Sequence, residues 1–367
     1  MRPLLTLALV TYNQEKFIAQ AVQCAFAQTY SPLEIILSDD ASTDGTFEIL
    51  RKMTEQYRGP HRVVLNRNEQ NCGLARQVNQ IARLAKGELV LAAAGDDLSI
   101  PERTEILFKA WNDTGREATC LHSRVTHIDV AGQPTEAPAW EHLGEPTYRI
   151  ISQKITPLEY IKTQQPDVLG CTCAWAPSLF KTFGDLPEDV IHEDNAIVFR
   201  ALLQSGSILF VDTPLVKYRV HGGNLFNSRN ENQDTIQEIE NQGKRMARNF
   251  TRRAIMHRVF GHDIRTAFLE GLIAEPEFYP AYHLTLRMQR LFKQQREFMT
   301  ARLPRKLSLL IQLYFTDINR SRLGKLALRL LPPRAIHVLK KARNGVRSPL
   351  QKCPPENRAQ PVDAVCE

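Results

Sequence analysis

The sequence predicts an α/β fold: a Rossmann-like, mostly parallel sheet with flanking helices, followed by a basic helical C-terminal extension. Three observations carry that prediction. Over the first hundred residues short apolar runs alternate with segments of helical period. The runs are apolar at nearly every position, as in parallel strands covered on both faces. Beyond about residue 230 the pattern becomes helical, polar and increasingly basic.

Taken in order, residues 4–10 read as the first strand. Phe17, Ile18, Ala21, Val22 and Ala25 then fall on one face of a helix. Residues 33–38 form a second buried strand, and Thr43 or Asp44 can cap a helix carrying Phe47, Leu50, Met53 and Tyr57. Residues 63–65 make a third strand, 74–86 a third helix and 88–93 a fourth strand. Pro101 opens a further helix behind a Ser99 cap. From 130 to 166 Pro134, Pro138, Pro146, Pro157 and Pro166, with Trp140 and Tyr148, break the periodicity, which reads as a long surface excursion of the lid type. Order returns over 171–180, in a helix opened by Glu193-Asp194 that runs to Leu203, and in a strand at 208–211. The last twenty residues, with Pro349, Pro354, Pro355 and Pro361, read as a disordered tail.

Composition narrows the class. The 367 residues are 43% hydrophobic and 24% charged, which fits a folded protein of two or three units. The formal charge of +7 hides an asymmetry. Residues 1–240 hold 22 Lys+Arg against 31 Asp+Glu, a net of −9, while 241–367 hold 25 against 9, a net of +16. An even basic coat for nucleic acid is excluded, and no nucleic-acid module is present. No run reaches the roughly 18 apolar residues that span a bilayer; the best, 307–315, contains Gln312. The apolar start runs into Thr11-Tyr12-Asn13-Gln14 without a small-residue cleavage pattern and so reads as a strand, not a leader. Seven scattered cysteines, with Cys171-Thr-Cys173 the one close pair, fit reduced structural thiols of a cytosolic protein.

Four polar clusters fall at predicted strand ends or helix starts: Thr11-Tyr12-Asn13, the stretch from Ser38 through Asp39 and Asp40 to Thr46, Asn71 to Asn79, and Gly95-Asp96-Asp97. Turns and caps use the same residue types. Four such clusters converging on the carboxyl edge of one parallel sheet point instead to ligand binding, because that edge is where such sheets hold ligands.

The segments "LVTYNQEKFIAQAV", "ILSDDASTDGTFEIL", "NCGLARQVNQ", "GDDLSIPER", "IHEDNAIVFR" and "YRVHGGN" together resemble the family 2 nucleotide-sugar-dependent glycosyltransferases of GT-A fold. They lie in order between residues 4 and 228, about three fifths of the chain. The resemblance implies a glycosyltransferase domain over 1–235, with a nucleotide half (1–115) and an acceptor half (116–235), ahead of the basic helices (236–345) and the tail (346–367). It implies a uridine site in which Tyr12 stacks on the base and Asp40 accepts from a base N–H, with Thr11, Asp39 and Asn79 beside them. Arg76 then stands near the diphosphate.

Asp96 and Asp97 occupy the DxD position, with Ala94 where the first Asp usually stands. Asp96 aligns with the metal-binding Asp, and His221 resembles a further metal ligand. Carboxylates with substrate phosphates suit manganese or magnesium rather than zinc. Glu193-Asp194 resembles the motif that supplies the base: Asp194 would deprotonate the acceptor hydroxyl in an inverting transfer, with Glu193 positioning acceptor or helix.

The resemblance therefore implies a UDP-sugar donor, a glycan or lipid-linked acceptor and an envelope-polysaccharide setting. A catalytically degenerate binding module is the alternative, resting on Ala94, and sugar-phosphate nucleotidyl transfer would need a Gly-rich phosphate loop that Thr11-Tyr12-Asn13 does not provide. Trp140, Tyr148 and Trp175 are candidate acceptor contacts by stacking. Residues 302–345, with Leu323, Leu326, Ala327, Leu330 and Leu331 at helical spacing, read as a basic amphipathic segment that can hold a cytoplasmic protein to the anionic inner face of a membrane.

Overall fold

Alternate side chains of the first strands enter two different cores, which is why their sequences are apolar throughout. In β1 (Leu5–Thr11), Leu5, Leu7 and Leu9 join one core and Ala8 the other. After α1 (Ile18–Phe26), β2 (Leu33–Asp39) sends Ile35 and Leu37 to the first core and Ile36 to the second. α2 (Thr46–Gln56), β3 (Arg62–Arg67), α3 (Leu74–Leu84) and β4 (Val90–Ala94) complete the nucleotide half. The computed structural model describes residues 2–135, 150–224, 236–314, 320–336 and 338–339. Trp140, Tyr148 and the rest of 136–149, and the predicted tail, lie outside them; the remainder of the expected excursion is partly regular, with a strand at Ile150–Lys154 and a helix at Pro157–Thr163.

The remaining elements are β5 (Leu98–Ser99), α4 (Arg103–Asp113), β6 (Cys120–Ile128), β7 (Ile150–Lys154), α5 (Pro157–Thr163), β8 (Ala174–Trp175), α6 (Ser178–Phe183), α7 (Glu193–Ser205) and β9 (Ser207–Arg219). Long helices α8 (Ile236–Leu269) and α9 (Glu275–Thr300) precede α10 (Leu303–Tyr314) and α11 (Arg320–Ala327). The nine-stranded sheet runs β3-β2-β1-β4-β8-β6-β9-β5, with β7 on β9. β1 to β4 pair in parallel with Thr11 level with Asp39 and Val10 level with Ala94, so their carboxyl ends form one edge. Antiparallel pairs enter where β8 joins β4 and β6, and where β9 meets β5 and β7.

Local details differ from the sequence expectations for identifiable reasons. Asp44 does support the start of α2, accepting from Thr46 N at 3.0 Å. Ser99 caps nothing. It lies in β5 and takes a hydrogen bond from the buried Arg103 guanidinium at 2.9 Å, and α4 starts behind Glu102. The strand expected at 208–211 continues to Arg219, with a register shift against β6 around Arg124. Trp175 is buried against Phe180 and belongs to the core, so it is no acceptor contact.

Residues 1–229 and 251–293 form one compact unit, and 230–250 with 294–367 a second. Within the first, Met256, Val259, Phe260 and Ile264 of α8 share a core with Phe199 of α7. Beside them the Arg200 guanidinium meets the Asp263 carboxylate at 2.9 Å, both fully buried. Removing one partner of such a pair costs about 3–5 kcal/mol, because the other charge is stranded. The part of α8 beyond residue 250 is thus built into the sheet unit's core, a packing that a basic composition does not reveal. Within the second unit, Leu309, Leu313, Leu326 and Ile336 are buried. The expected apolar row from Leu323 to Leu331 is broken: α11 ends at Ala327 and tightens into a 3-10 turn at Leu328–Leu330, with Leu326 turned inward and Leu331 exposed.

Candidate functional site

At the end of β1 the chain turns through Asn13, whose left-handed backbone (φ 52°) is fixed by the neighbouring loop. Asn13 N donates to Ser42 Oγ at 2.9 Å, and Thr43 N donates to Asn13 Oδ1 at 2.8 Å. Gln14 N reaches Thr46 Oγ1 at 2.8 Å. The two loops therefore set each other's shape and leave Tyr12 outside the lacing, 43% exposed and able to stack on a planar ligand. Thr11 is buried, and its hydroxyl donates to Gln14 Oε1 at 2.7 Å.

Asp39 and Asp40 are both buried. Asp39 Oδ2 accepts from Ser42 N at 3.0 Å and faces Arg67 at 3.6 Å. Asp40 is occupied further: Oδ1 accepts from Asn68 Nδ2 at 2.7 Å, Cys72 N at 2.9 Å and Cys72 Sγ at 3.0 Å, and Oδ2 accepts from Gly73 N at 2.8 Å. Burial opposes its ionisation, but these bonds outweigh burial and hold its carboxyl below the usual range. Asp40 thus organises the turn before α3, with one lone pair of Oδ2 left by valence for a ligand.

On α3, Arg76 is about half exposed and 3.3 Å from Glu188, a surface pair weak enough to be exchanged for a phosphate. Asn79 is consumed structurally: Nδ2 donates to Leu186 O at 2.8 Å and Oδ1 accepts from Leu186 N at 2.7 Å. Its amide clamps α3 to the segment after α6, which gives it a structural role.

The turn after β4 brings Asp96 and His221 together, with Oδ2 and Nε2 3.0 Å apart and both side chains mostly covered. Gly95 is required here, since a Cβ would stand 2.4 Å from Gln14 Oε1 and 2.8 Å from Thr11 Oγ1. Asp97 faces the other way. Its Oδ1 accepts from Arg219 N at 2.8 Å and it takes a hydrogen bond from the Cys171 thiol. Burial, and then the neighbouring Asp96 charge, push its carboxyl up to about 7. Asp97 is a structural acid beneath the turn rather than a ligand. Arg219, fully buried, fastens the corner through Asp96 O at 2.9 Å, Val130 O at 2.9 Å and Gln20 Oε1 at 2.8 Å.

Asp96 and His221 suit a hard divalent cation whose shell substrate phosphates complete. Among the described residues no cluster of three or more His, Cys, Asp or Glu forms a protein-only cage.

Glu193 and Asp194 open α7. Glu193 is buried, and burial followed by the Asp194 charge raises its carboxyl well above the ordinary range. Burial raises Asp194 to about 6, against hydrogen bonds from the backbone of Asn195 and Gly170. The Asn195 N to Asp194 Oδ1 bond measures 2.7 Å. Gly170 lies so close that a Cβ would stand 2.8 Å from Glu193 Oε1. The 3-10 turn Gly170–Thr172 thus touches both chemical corners: Gly170 supports Asp194, and Cys171 supports the turn carrying Asp96. Gly170, Cys171 and Arg219 were not expected from the sequence. Cys173, just before β8, meets Cys120 of β6, Sγ to Sγ 3.5 Å, and Cys120, Cys171 and Cys173 are free thiols.

Residues 6–173 match the family model described as glycosyl transferase family 2. That stretch includes Tyr12, Asp40, Arg76 and Asp96 and stops before Glu193, Asp194 and His221. EpsE of Bacillus subtilis, named as a glycosyltransferase, is 36% identical over 103 residues, which cover 28% of this chain and 36% of EpsE. Chondroitin synthase of Escherichia coli is 29% identical over 130 residues, 35% of this chain and 18% of that protein. The chain therefore spans well under two thirds of either relative. The crystal structure of S. aureus TarS 1–349 matches with a TM-score of 0.53 at 18% identity, over 94% of this chain and 92% of TarS. The same fragment in complex with UDP-GlcNAc gives 0.51 at 16%, over 93% and 92%. At these identities the likeness is one of fold.

Proposed function

Because residues 6–173 match the model of glycosyl transferase family 2, we propose that the chain moves a sugar, with inversion, from a UDP-sugar to a hydroxyl of a glycan or lipid-linked acceptor. The TarS complexes with UDP and UDP-GlcNAc support that class of donor. The observation that carries the reading is the Gly170–Thr172 turn, whose adjacent residues hold the Asp194 carboxylate and the Asp96 turn at one sheet edge.

In this reading Tyr12 stacks on the base and Arg76 exchanges Glu188 for a diphosphate oxygen. The acceptor oxygen bonds to the anomeric carbon as the bond from that carbon to the diphosphate oxygen breaks. Asp194 takes the hydroxyl proton; a carboxylate with its pKa raised by burial is a better base than a solvated one. A manganese or magnesium ion held by Asp96 and His221 would offset the charge of the departing diphosphate. Gly223 N donates to His221 Nδ1 at 3.1 Å, which places the ring proton on Nε2, where it is given to Asp96. A cation held at Nε2 would require the ring proton on Nδ1 instead, in place of the Gly223 bond.

Thermal shift with UDP, with and without manganese, tests the site. Manganese-dependent stabilisation by UDP that disappears in Asp96→Ala is expected, together with slow UDP-sugar hydrolysis by the wild type. An equal UDP shift in chelator, or binding without turnover of any UDP-sugar, contradicts the reading.

A further inference from the structure

One helix of the second unit is apolar on two sides. Leu309 and Leu313 of α10 point inward and are fully buried. Leu303, Leu307 and Ile311 follow one another at four-residue spacing on a separate face, with Tyr314 one turn beyond, and they are 54%, 46%, 61% and 64% exposed. Around a helix of 3.6 residues per turn these four fall within an arc of about 80°, away from the buried pair. Packing of the unit needs only the inward row, and the outward row needs a second explanation, because large apolar residues lined up in solvent mark an interaction surface.

The polar chemistry around this row is cationic. Arg302 and Arg305 are exposed at its start, and Lys306 follows. Arg305 is paired with Glu297 at 2.7 Å, so part of its charge is offset. Leu303 and Lys306 also line an open hollow with Met299, Arg329, Leu331 and Pro332, which extends the apolar surface toward the exposed Arg334. Residues 302–347 contain 12 Lys+Arg and one acid, Asp317.

We propose that the outward face of α10, centred on Leu307 and Ile311, is a docking surface for an anionic phospholipid bilayer, on which the helix lies flat. Charge decides between occupants. A symmetric contact with a second copy places the same patch on both sides, so the basic segment 302–347, 12 Lys+Arg against one acid, would face itself. Nucleic acid satisfies the cations but leaves the apolar row in water. A bilayer with anionic headgroups takes both at once, apolar side chains in the interface and cations among phosphates. Twelve residues rise about 18 Å, too short to cross roughly 30 Å of hydrocarbon, so the helix lies on the surface. This differs from the sequence expectation, which placed the apolar row on Leu323 to Leu331. The proposal does not depend on the transferase reading, since its readout is partition and not turnover.

The experiment is co-sedimentation of the full chain with vesicles of 30% phosphatidylglycerol in phosphatidylcholine, against vesicles of phosphatidylcholine alone. Binding to the anionic vesicles is expected, falling as sodium chloride rises, with a tenfold or greater loss of partition in Leu307→Gln/Ile311→Gln. Both positions are exposed, so circular dichroism and thermal melting should stay unchanged. Arg302→Glu, on the same helix start, should weaken binding without touching the apolar row. Absence of anionic-vesicle binding, equal binding to neutral vesicles, or wild-type partition by the double variant overturns the proposal. So does a wild-type dimer in sedimentation velocity that the double variant converts to monomer while vesicles bind neither protein.

Discussion

Two pairs of neighbouring acids, Asp39-Asp40 at the end of β2 and Glu193-Asp194 at the start of α7, meet opposite environments in one sheet unit. Asp40 collects donors from Asn68, Cys72 and Gly73, and its carboxyl is held low despite burial. Burial raises both Glu193 and Asp194, helped by the Asp194 charge at the first and the Asp167 charge at the second, and the backbone donors of Asn195 and Gly170 offset it only in part at Asp194. The same residue type is thus held ionised as a fastening in one corner and pushed toward its protonated form in the other, where we propose it as the base. The balance of burial against hydrogen-bond donors sets the direction in each corner.

Substitutions separate the two corners. The largest effect is expected for Asp194→Asn: a fall in transfer rate of about a thousandfold, in the range of a lost general base, with UDP affinity by calorimetry unchanged. Wild-type turnover in that variant would remove Asp194 from the chemistry. Gly170→Ala comes next. Its Cβ meets the buried Glu193 Oε1 at 2.8 Å, so that carboxylate must shift beside Asp194. The transfer rate should fall tenfold or more, with a stability cost of about 1–3 kcal/mol for overpacking, while UDP binding is kept. A rate within twofold of wild type would show that the turn does not position the base. The smallest catalytic effect is expected for Asp40→Asn, which should appear mainly in urea unfolding as a loss of about 1–3 kcal/mol, because N–H groups of Cys72 and Gly73 lose charged acceptors. A large kcat defect at unchanged stability would reverse the contrast between the corners.

The framework of the fold was legible because two-sided burial writes itself into a strand as unbroken apolar residues. Leu5 to Leu9 and Leu33 to Leu37 are such runs, and the helices between them carry a clean 3.6 period. β6 was not legible: it mixes His122, Ser123, Arg124 and Thr126 among its apolar residues, and its pairing with β9 shifts register at Arg124. The α8 packing was hidden for a related reason, since a basic average conceals Met256, Val259, Phe260 and the buried Arg200–Asp263 pair.

Within the site, residue types located the corners but could not apportion the atoms. Asn79 and Asp97 resemble ligand residues in sequence, yet Leu186 takes both ends of the first, and Arg219 and Cys171 take the second. Conversely, nothing in the sequence marks Gly170 as the residue between the two acids and the Asp96 turn. That role arises from the distance a missing Cβ allows, which composition and spacing do not encode.

The contrast between the corners is tested most directly by the single-turnover transfer rate against pH, at saturating UDP-sugar and manganese. A base is active when deprotonated, so with Asp194 raised to about 6 the rate should be level above pH 7 and fall as pH drops through about 6, approaching tenfold per unit below it. A rate that stays level from pH 7 down to pH 5 would contradict Asp194 as a base raised by burial.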